Sequence, residues 1–150
     1  MTITTEFRSG HIEILDLSAR FAWLIDHEEG RGVPELFVSE GRYGYEGYWC
    51  EGREAIEDFY ERRRQPGTRK SRHIFTNHLI RIEKDRAFCT SNLILFATDG
   101  DAEANANPLS VLDYHDILVR DGDGNWRYLE RRVVPAFGHM PKIMEKESGA

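Results

Sequence analysis

Residues 71–97, SRHIFTNHLIRIEKDRAFCTSNLILFA, decide how this chain is built. Two runs rich in β-branched and aromatic residues, Ser71–Glu83 and Arg86–Ala97, flank the dipeptide Lys84-Asp85. Runs of that composition read as strands, and a two-residue gap between them reads as a hairpin, although Lys-Asp is not among the favoured turn sequences. A second pair, Ser110–Arg120 and Trp126–Pro135, is joined by Asp-Gly-Asp-Gly-Asn, a much stronger turn signal. The polar tract DGDAEANANP at 99–108 connects the two hairpins.

Upstream the periodicity changes from two to nearly four. A helix starting at Ser9 or Gly10 carries Ile14, Leu17, Phe21 and Leu24 as one apolar stripe. The row Leu15, Ala19, Ala22, Asp26 runs beside it, and Gly30 fits just past the helix end. A short helical piece is expected around Pro34–Val38, with proline near its first turn. The segment GRYGYEGYWCEG, 41–52, reads as an extended stretch leading into a loop. Arg53–Arg64 forms a third helix with Ile56, Phe59 and Tyr60 inward, stopped by Pro66-Gly67. Helices followed by long antiparallel strands predict an α+β fold, with the helices on one face of a curved sheet. Residues 1–150 are read as a single domain, with 1–8 and 142–150 as loose arms.

Composition narrows the function. Lys and Arg total 20 against 26 Asp and Glu, a net charge of −6 that disfavours nucleic acid and anionic membranes as partners. The basic run RRRQPGTRKSR, 62–72, is read as a solvated helix end and loop rather than a phosphate-binding patch. Cys50 and Cys89 are too few for a disulfide framework or a zinc site. The N-terminal MTITTEFRSG has no apolar h-region, and no apolar run approaches the roughly 20 residues that cross a bilayer, so a cytoplasmic setting is expected.

The motifs point to acid–base chemistry by elimination. His73 and His78 stand five positions apart and face opposite ways on a regular strand, so they share a metal only across a bulge. DGDGN resembles the start of a calcium loop, but the sixth position is Trp126 where glycine is required. Glycines 41, 44 and 47 lack the strand-turn-helix that a dinucleotide fingerprint needs, and no G-x-S-x-G elbow is present. His73, Phe75, Asn77 and Leu79 share one strand face, which suits a wall between core and cavity. Ile74, Ile80 and Ile82 on the other face are left for helices or a second subunit. Histidine takes a proton near neutral pH when a carboxylate orients it, and Asp26 at its helix end is the candidate partner. The plainer reading of a lone strand histidine is a hydrogen-bonded core residue.

As a whole the chain resembles the SnoaL-like branch of the nuclear transport factor 2-like superfamily. The matching pieces are IEILDLSARFAWLID (12–26), LF (36–37), GREAIEDFY (52–60), RHIFTNHLIRIEKDRAFCTSN (72–92) and YHDILVRDGDGNWRYLERRV (114–133). The resemblance implies a cone-shaped, strongly curved antiparallel sheet wrapped by about three N-terminal helices around an apolar pocket. It also implies an Asp–His pair inside the cone, in the manner of bile-acid dehydratase-like, scytalone dehydratase-like and hexachlorocyclohexane dehydrochlorinase-like enzymes. The matching positions are Asp26 and His73, with Arg131 as the assisting arginine and Arg132 its neighbour on the opposite face. Such relatives often carry a tyrosine or lysine five residues before the aspartate, where this chain has Phe21. Tyr45, Tyr48 and Asn92 are candidates for the missing donor; Phe21, Trp23, Phe75 and Phe88 are candidate apolar walls, and Asn77 a candidate pocket hydrogen-bond partner. The expected reaction is loss of water or halide from a small hydrophobic cyclic molecule, without cofactor or metal. Isomerisation or cyclisation by the same base, and a non-catalytic role in ligand binding or as a dioxygenase beta subunit, are the alternatives. The resemblance further implies a homo-oligomer, dimer or trimer.

Overall fold

The computed structural model describes residues 5–65, 69–99, 107–138 and 140. Helix α1, Thr5–Glu28, begins inside the stretch expected as an arm; residues 1–4 and the expected arm at 142–150 lie outside the described residues. Its buried stripe is Ile14, Leu17, Phe21 and Ile25, while Leu24, one position off, is only half-buried. Each such side chain contributes about 1.5–3 kcal/mol on leaving water. The helix ends where Glu29 (φ 55°) and Gly30 (φ 83°) turn left-handed and the Gly30 N–H reaches back to the Leu24 carbonyl at 2.8 Å. A side chain at residue 30 would strike the Tyr60 ring, its Cβ coming within 2.2 Å, so glycine is needed there.

A 3₁₀ turn at Pro34–Leu36 leads into β1, Phe37–Tyr45, and β2, Tyr48–Glu51. These pair antiparallel across a Glu46-Gly47 turn, with Tyr45 opposite Tyr48. The expected extended stretch and loop is therefore a hairpin. Its glycines break the alternation that would have marked it, because only some positions along it can bury a side chain. Helix α2, Gly52–Arg64, lays Ile56, Phe59 and Tyr60 inward as its spacing predicts.

The remaining strands are β3 (Arg69–Glu83), β4 (Arg86–Asp99), β5 (Ser110–Arg120) and β6 (Trp126–Gly138). One six-stranded sheet results, in the order β2-β1-β6-β5-β4-β3. β1 runs parallel to β6, so the sheet is mixed rather than wholly antiparallel. The architecture is otherwise the expected α+β cone, with α1 and α2 over the concave face of a sheet that does not close. Among the described residues no helix is long and apolar enough to cross a membrane.

Two β-bulges re-aim the chemistry. In β3 the register slips between Thr76 and Leu79, where Asn77 adopts φ 56°. Before the slip Ser71, His73 and Phe75 face inward; after it His78, Ile80 and Ile82 do, and Asn77 and Leu79 turn out to solvent. The expected face of His73, Phe75, Asn77 and Leu79 is thus split, and both histidines lie on the inner side. In β6 a shift opposite Ile117/Leu118 moves the inward set from Trp126 and Tyr128 to Arg131 and Val133. That shift selects Arg131 over Arg132 for the interior.

Candidate active site

Asp26 and His73 meet where the last turn of α1 crosses β3. The Asp26 Oδ1 atom lies 2.6 Å from His73 Nδ1. Because β3 is an outermost strand, it has no sheet neighbour on one side, and the His73 backbone N–H donates instead to Asp26 Oδ2 at 2.8 Å. The Ser71 hydroxyl donates to Asp26 Oδ1 at 2.8 Å, and Arg63 Nη2 donates to the Ser71 oxygen at 3.1 Å. The carboxylate thus accepts from a backbone amide, a hydroxyl and an imidazole, which is what a buried anion requires.

The protonation states follow. Burial pushes the Asp26 acid up, but its bonds to His73 and Ser71 outweigh that and hold it below its ordinary 3.8. Burial, helped by the Arg63 and Arg69 charges, outweighs the pull of Asp26 on His73 and holds the imidazole below its ordinary 6.5. At neutral pH the pair is an ionised Asp26 and a neutral His73. A carboxylate at 2.6 Å needs a donor, so the ring proton sits on Nδ1 and Nε2 keeps its lone pair.

His73 lines a cavity of about 30 Å³. A water occupies roughly 10–15 Å³ on this measure, so the space holds about two small occupants. Its walls are aliphatic (Ile25, Leu93, Leu95, Leu112) and aromatic (Tyr43, Phe59, Tyr60, Tyr114), with Arg63 and Arg69 as further polar groups. Burial raises the Tyr43, Tyr60 and Tyr114 phenols, so all three stay protonated donors. Tyr43 and Tyr114 hydroxyls meet at 3.3 Å; the buried Tyr60 hydroxyl has no hydrogen-bond partner among the described residues.

Arg131 is placed elsewhere than expected. It is fully buried, forks onto Asp116 (Nε to Oδ1 3.0 Å, Nη2 to Oδ2 3.2 Å), and is boxed by the rings of Phe21, Phe75, Tyr114 and Tyr128 at 4.2–4.7 Å. It does not line the His73 cavity. Phe21, at the position where the resemblance implies a donor, instead covers the Arg131 guanidinium.

The expected pocket walls are not the ones the cavity has. Phe21 and Phe75 belong to the aromatic box around Arg131. Trp23 is 61% exposed on the outer side of α1, stacked on His27. Tyr45 and Tyr48 stack on each other at the hairpin tip, and the Tyr48 hydroxyl accepts from Arg62. Phe88 lies under the Arg81 guanidinium at 4.5 Å. Asn77 and Asn92 do meet, at 3.0 Å, but on the outward side of the sheet, where Asn92 also donates to Asp113. The bulge at Asn77 and strict alternation along β4 are the reasons.

The groups that sequence reasoning passed over are Arg63, Arg69 and Ser71, together with the three tyrosines. Their signal was present. Arg63 follows Ile56, Phe59 and Tyr60 at helical spacing, so it alone of Arg62, Arg63 and Arg64 falls on the inner stripe. Arg69 and Ser71 precede His73 at strand spacing. The basic run at 62–72 is therefore not solvated throughout: Arg63 and Arg69 turn to the cavity.

Among the described residues no group of three or more His, Cys, Asp or Glu side chains could hold a metal. No curated protein matches the chain. Several solved structures share its fold. Rv3472, a protein of unknown function from Mycobacterium tuberculosis, is 24% identical with a TM-score of 0.77 over 87% of this chain and 74% of that one. An NTF2-like protein with a cystatin-like fold from Novosphingobium aromaticivorans is 22% identical, TM-score 0.75, over 89% and 86% of the two chains. A chain described as the beta subunit of an aromatic-ring-hydroxylating dioxygenase, from the same species, is 18% identical, TM-score 0.76, over 91% and 95%. At such identities these likenesses speak for the fold alone. The SnoaL-like domain model, by contrast, matches residues 11–132, most of the chain from α1 to β6, and the protein belongs to that family.

Proposed function

We propose that this SnoaL-like protein is a cofactor-independent lyase, removing a proton and a leaving group from a small, largely apolar cyclic substrate. The observation that carries the reading is the 2.6 Å contact between Asp26 and His73 Nδ1, which leaves Nε2 basic on a residue that lines a cavity. His73 Nε2 takes the proton from a carbon acid, the C–H electron pair becomes the new double bond, and water or halide departs from the adjacent carbon with its bonding pair. Asp26 stabilises the imidazolium that forms. A departing hydroxide needs a proton, and the Tyr60 phenol is the cavity donor that meets no hydrogen-bond partner among the described residues. Isomerisation or cyclisation by the same base uses these groups with a different substrate.

The test is turnover on a panel of cyclic β-hydroxy ketones and halogenated rings. His73→Ala is expected to cost at least about 10²-fold, within the range for removing a general base. Asp26→Ala should cost a comparable amount, with both variants checked for folding by thermal unfolding. Intact turnover in Asp26→Ala sinks the dyad. One observation favours a second reading, non-catalytic ligand binding: aromatic rings leave a cavity smaller than a ring compound. On that reading both variants keep ligand affinity within a few fold. We further propose a homo-oligomer formed through the outward side of β3, where Leu79 is 75% and Ile74 47% exposed. Sedimentation should then give a dimer or trimer for the wild type and a lighter species for Leu79→Asp.

A further inference from the structure

In the interior, arginine is set against aspartate in two different ways. Arg131 forks directly onto Asp116, reaching one oxygen at 3.0 Å and the other at 3.2 Å. Arg63 reaches Asp26 through a hydroxyl instead. Its Nη2 donates to the Ser71 oxygen at 3.1 Å, and the Ser71 hydroxyl donates onward to Asp26 Oδ1 at 2.8 Å. A guanidinium has only protons to offer, so the Ser71 oxygen accepts there and its one proton is left for the carboxylate. The chain is sheltered from water, with Ser71 2% and Arg63 8% exposed and the Asp26 side chain 6%. In such surroundings each hydrogen bond polarises the next, and the guanidinium makes Ser71 a stronger donor. The inserted hydroxyl matters for His73. A fork like that on Asp116 would occupy both oxygens of Asp26, which here serve the histidine: Oδ1 its Nδ1–H at 2.6 Å and Oδ2 its backbone N–H at 2.8 Å. Ser71 carries the attraction of the cation to the carboxylate and leaves both oxygens within reach of His73.

We propose that Arg63 and Ser71 are positioning residues of the Asp26–His73 pair: Arg63 turns the Ser71 proton onto Asp26, and the carboxylate so held keeps Oδ1 on His73 Nδ1. The proposal rests on the acid–base reading for what the Nε2 lone pair then does. Ser71 does not line the cavity, so its effect on the chemistry runs through Asp26. Arg63 does line it, with Nη2 given to Ser71. The chain joins three elements, from Arg63 in the last turn of α2, through Ser71 on β3, to Asp26 near the end of α1 and back to His73 on β3. A carboxylate held by a hydroxyl, an imidazole and a backbone amide cannot swing about its own bond without breaking one of them. The proton on His73 Nδ1 is thereby fixed from two helices and an edge strand at once.

The experiment reads the His73 ring of the full-length protein by nitrogen-15 NMR above its titration, so it needs no substrate. Ser71→Ala is expected to move the ratio of the Nδ1–H to the Nε2–H form at least about fivefold towards Nε2–H, the effect of one net hydrogen bond. Arg63→Gln should move it the same way. An amide can show Ser71 either its oxygen or its nitrogen, and it no longer dictates where the hydroxyl proton points. Arg63→Lys and Ser71→Thr, which keep the cationic donor and the hydroxyl, should restore the wild-type ratio. The double variant of Ser71→Ala with Arg63→Gln should move it no further than Ser71→Ala alone, because the arginine acts through the serine. Thermal unfolding accompanies every variant. Where one does not fold, Ser71→Cys, of like size with a weak donor, replaces Ser71→Ala, and Arg63→Met, without a donor, replaces Arg63→Gln. A merely structural role lowers the unfolding midpoint and leaves the ring as it was. That outcome in the folded variants of either residue overturns the proposal, and so do shifts that add in the double variant. Failure of the base reading shows elsewhere, as turnover kept by His73→Ala.

Discussion

At the scale of single residues the site is an exercise in fixing one proton. Asp26 has more donors than a surface carboxylate keeps, and His73 is the one whose tautomer matters. Nitrogen-15 shifts of His73 at pH 7 should show a protonated Nδ1 and a bare Nε2. The pH dependence has a definite sign. With its folded pKa below 6.5, His73 binds fewer protons in the native than in the unfolded state between those two values. Its stabilisation is fully present above 6.5 and is lost as pH falls through the folded pKa; Asp26, also depressed, adds a loss of the same sign below 3.8. Denaturant titrations from pH 8 downward should therefore weaken below about 6.5 in the wild type and more shallowly in His73→Ala. Turnover should follow the deprotonated imidazole, persisting below the pH at which an ordinary histidine would be half-charged.

At the scale of elements, a single left-handed residue decides what β3 offers. Asn77 at φ 56° is a conformation that asparagine tolerates and β-branched residues do not. Asn77→Gly should be nearly neutral, and Asn77→Val should cost about 1–2 kcal/mol through backbone strain. Loss of the bulge would also send His78 away from the Ser18 hydroxyl it meets at 2.9 Å. Both measurements are midpoints of urea unfolding, with the hydrogen-exchange protection of β3 reporting on register. The positions of the strands were legible in the runs at 71–97 and 110–135, since composition and turns mark strands locally. The slips within them were not, because asparagine in a strand signals tolerance of a bulge and not its presence. The β1–β2 hairpin was missed for a related reason: with glycines at 41, 44 and 47, few side chains remain to show a period of two.

At the scale of the molecule, the ion pair Arg131–Asp116 stands at the centre of the aromatic interior and not at the cavity. Its role is read by stability. Arg131→Met leaves Asp116 as a buried unpaired carboxylate and should cost about 3–5 kcal/mol, whereas the double change Arg131→Met with Asp116→Leu should recover much of that loss. Thermal unfolding of the two variants decides the matter. Recovery of turnover along with stability in the double variant would mark Arg131 as a structural cation. Turnover that stays lost in a stable double variant would return it to the chemistry. Tyr114 belongs both to the rings around this pair and to the wall of the His73 cavity, so packing and substrate capacity meet at that ring.

The sequence by itself determined the helices α1 and α2 and the strands β3 to β6, the α+β class, and the pairing of Asp26 with His73 as candidates. Those properties rest on local periodicity and on residue types, which are written in order along the chain. Tertiary structure decided the parallel union of β1 with β6, the inward choice of Arg131 over Arg132, and the meeting of Asn77 and Asn92 on the outward side of the sheet. It also decided that Arg63 and Arg69, of the basic run at 62–72, should line the His73 cavity. Each of these depends on a register or on a neighbour distant in sequence. A slip of one residue exchanges the two faces of a strand without altering the sequence pattern that announces it.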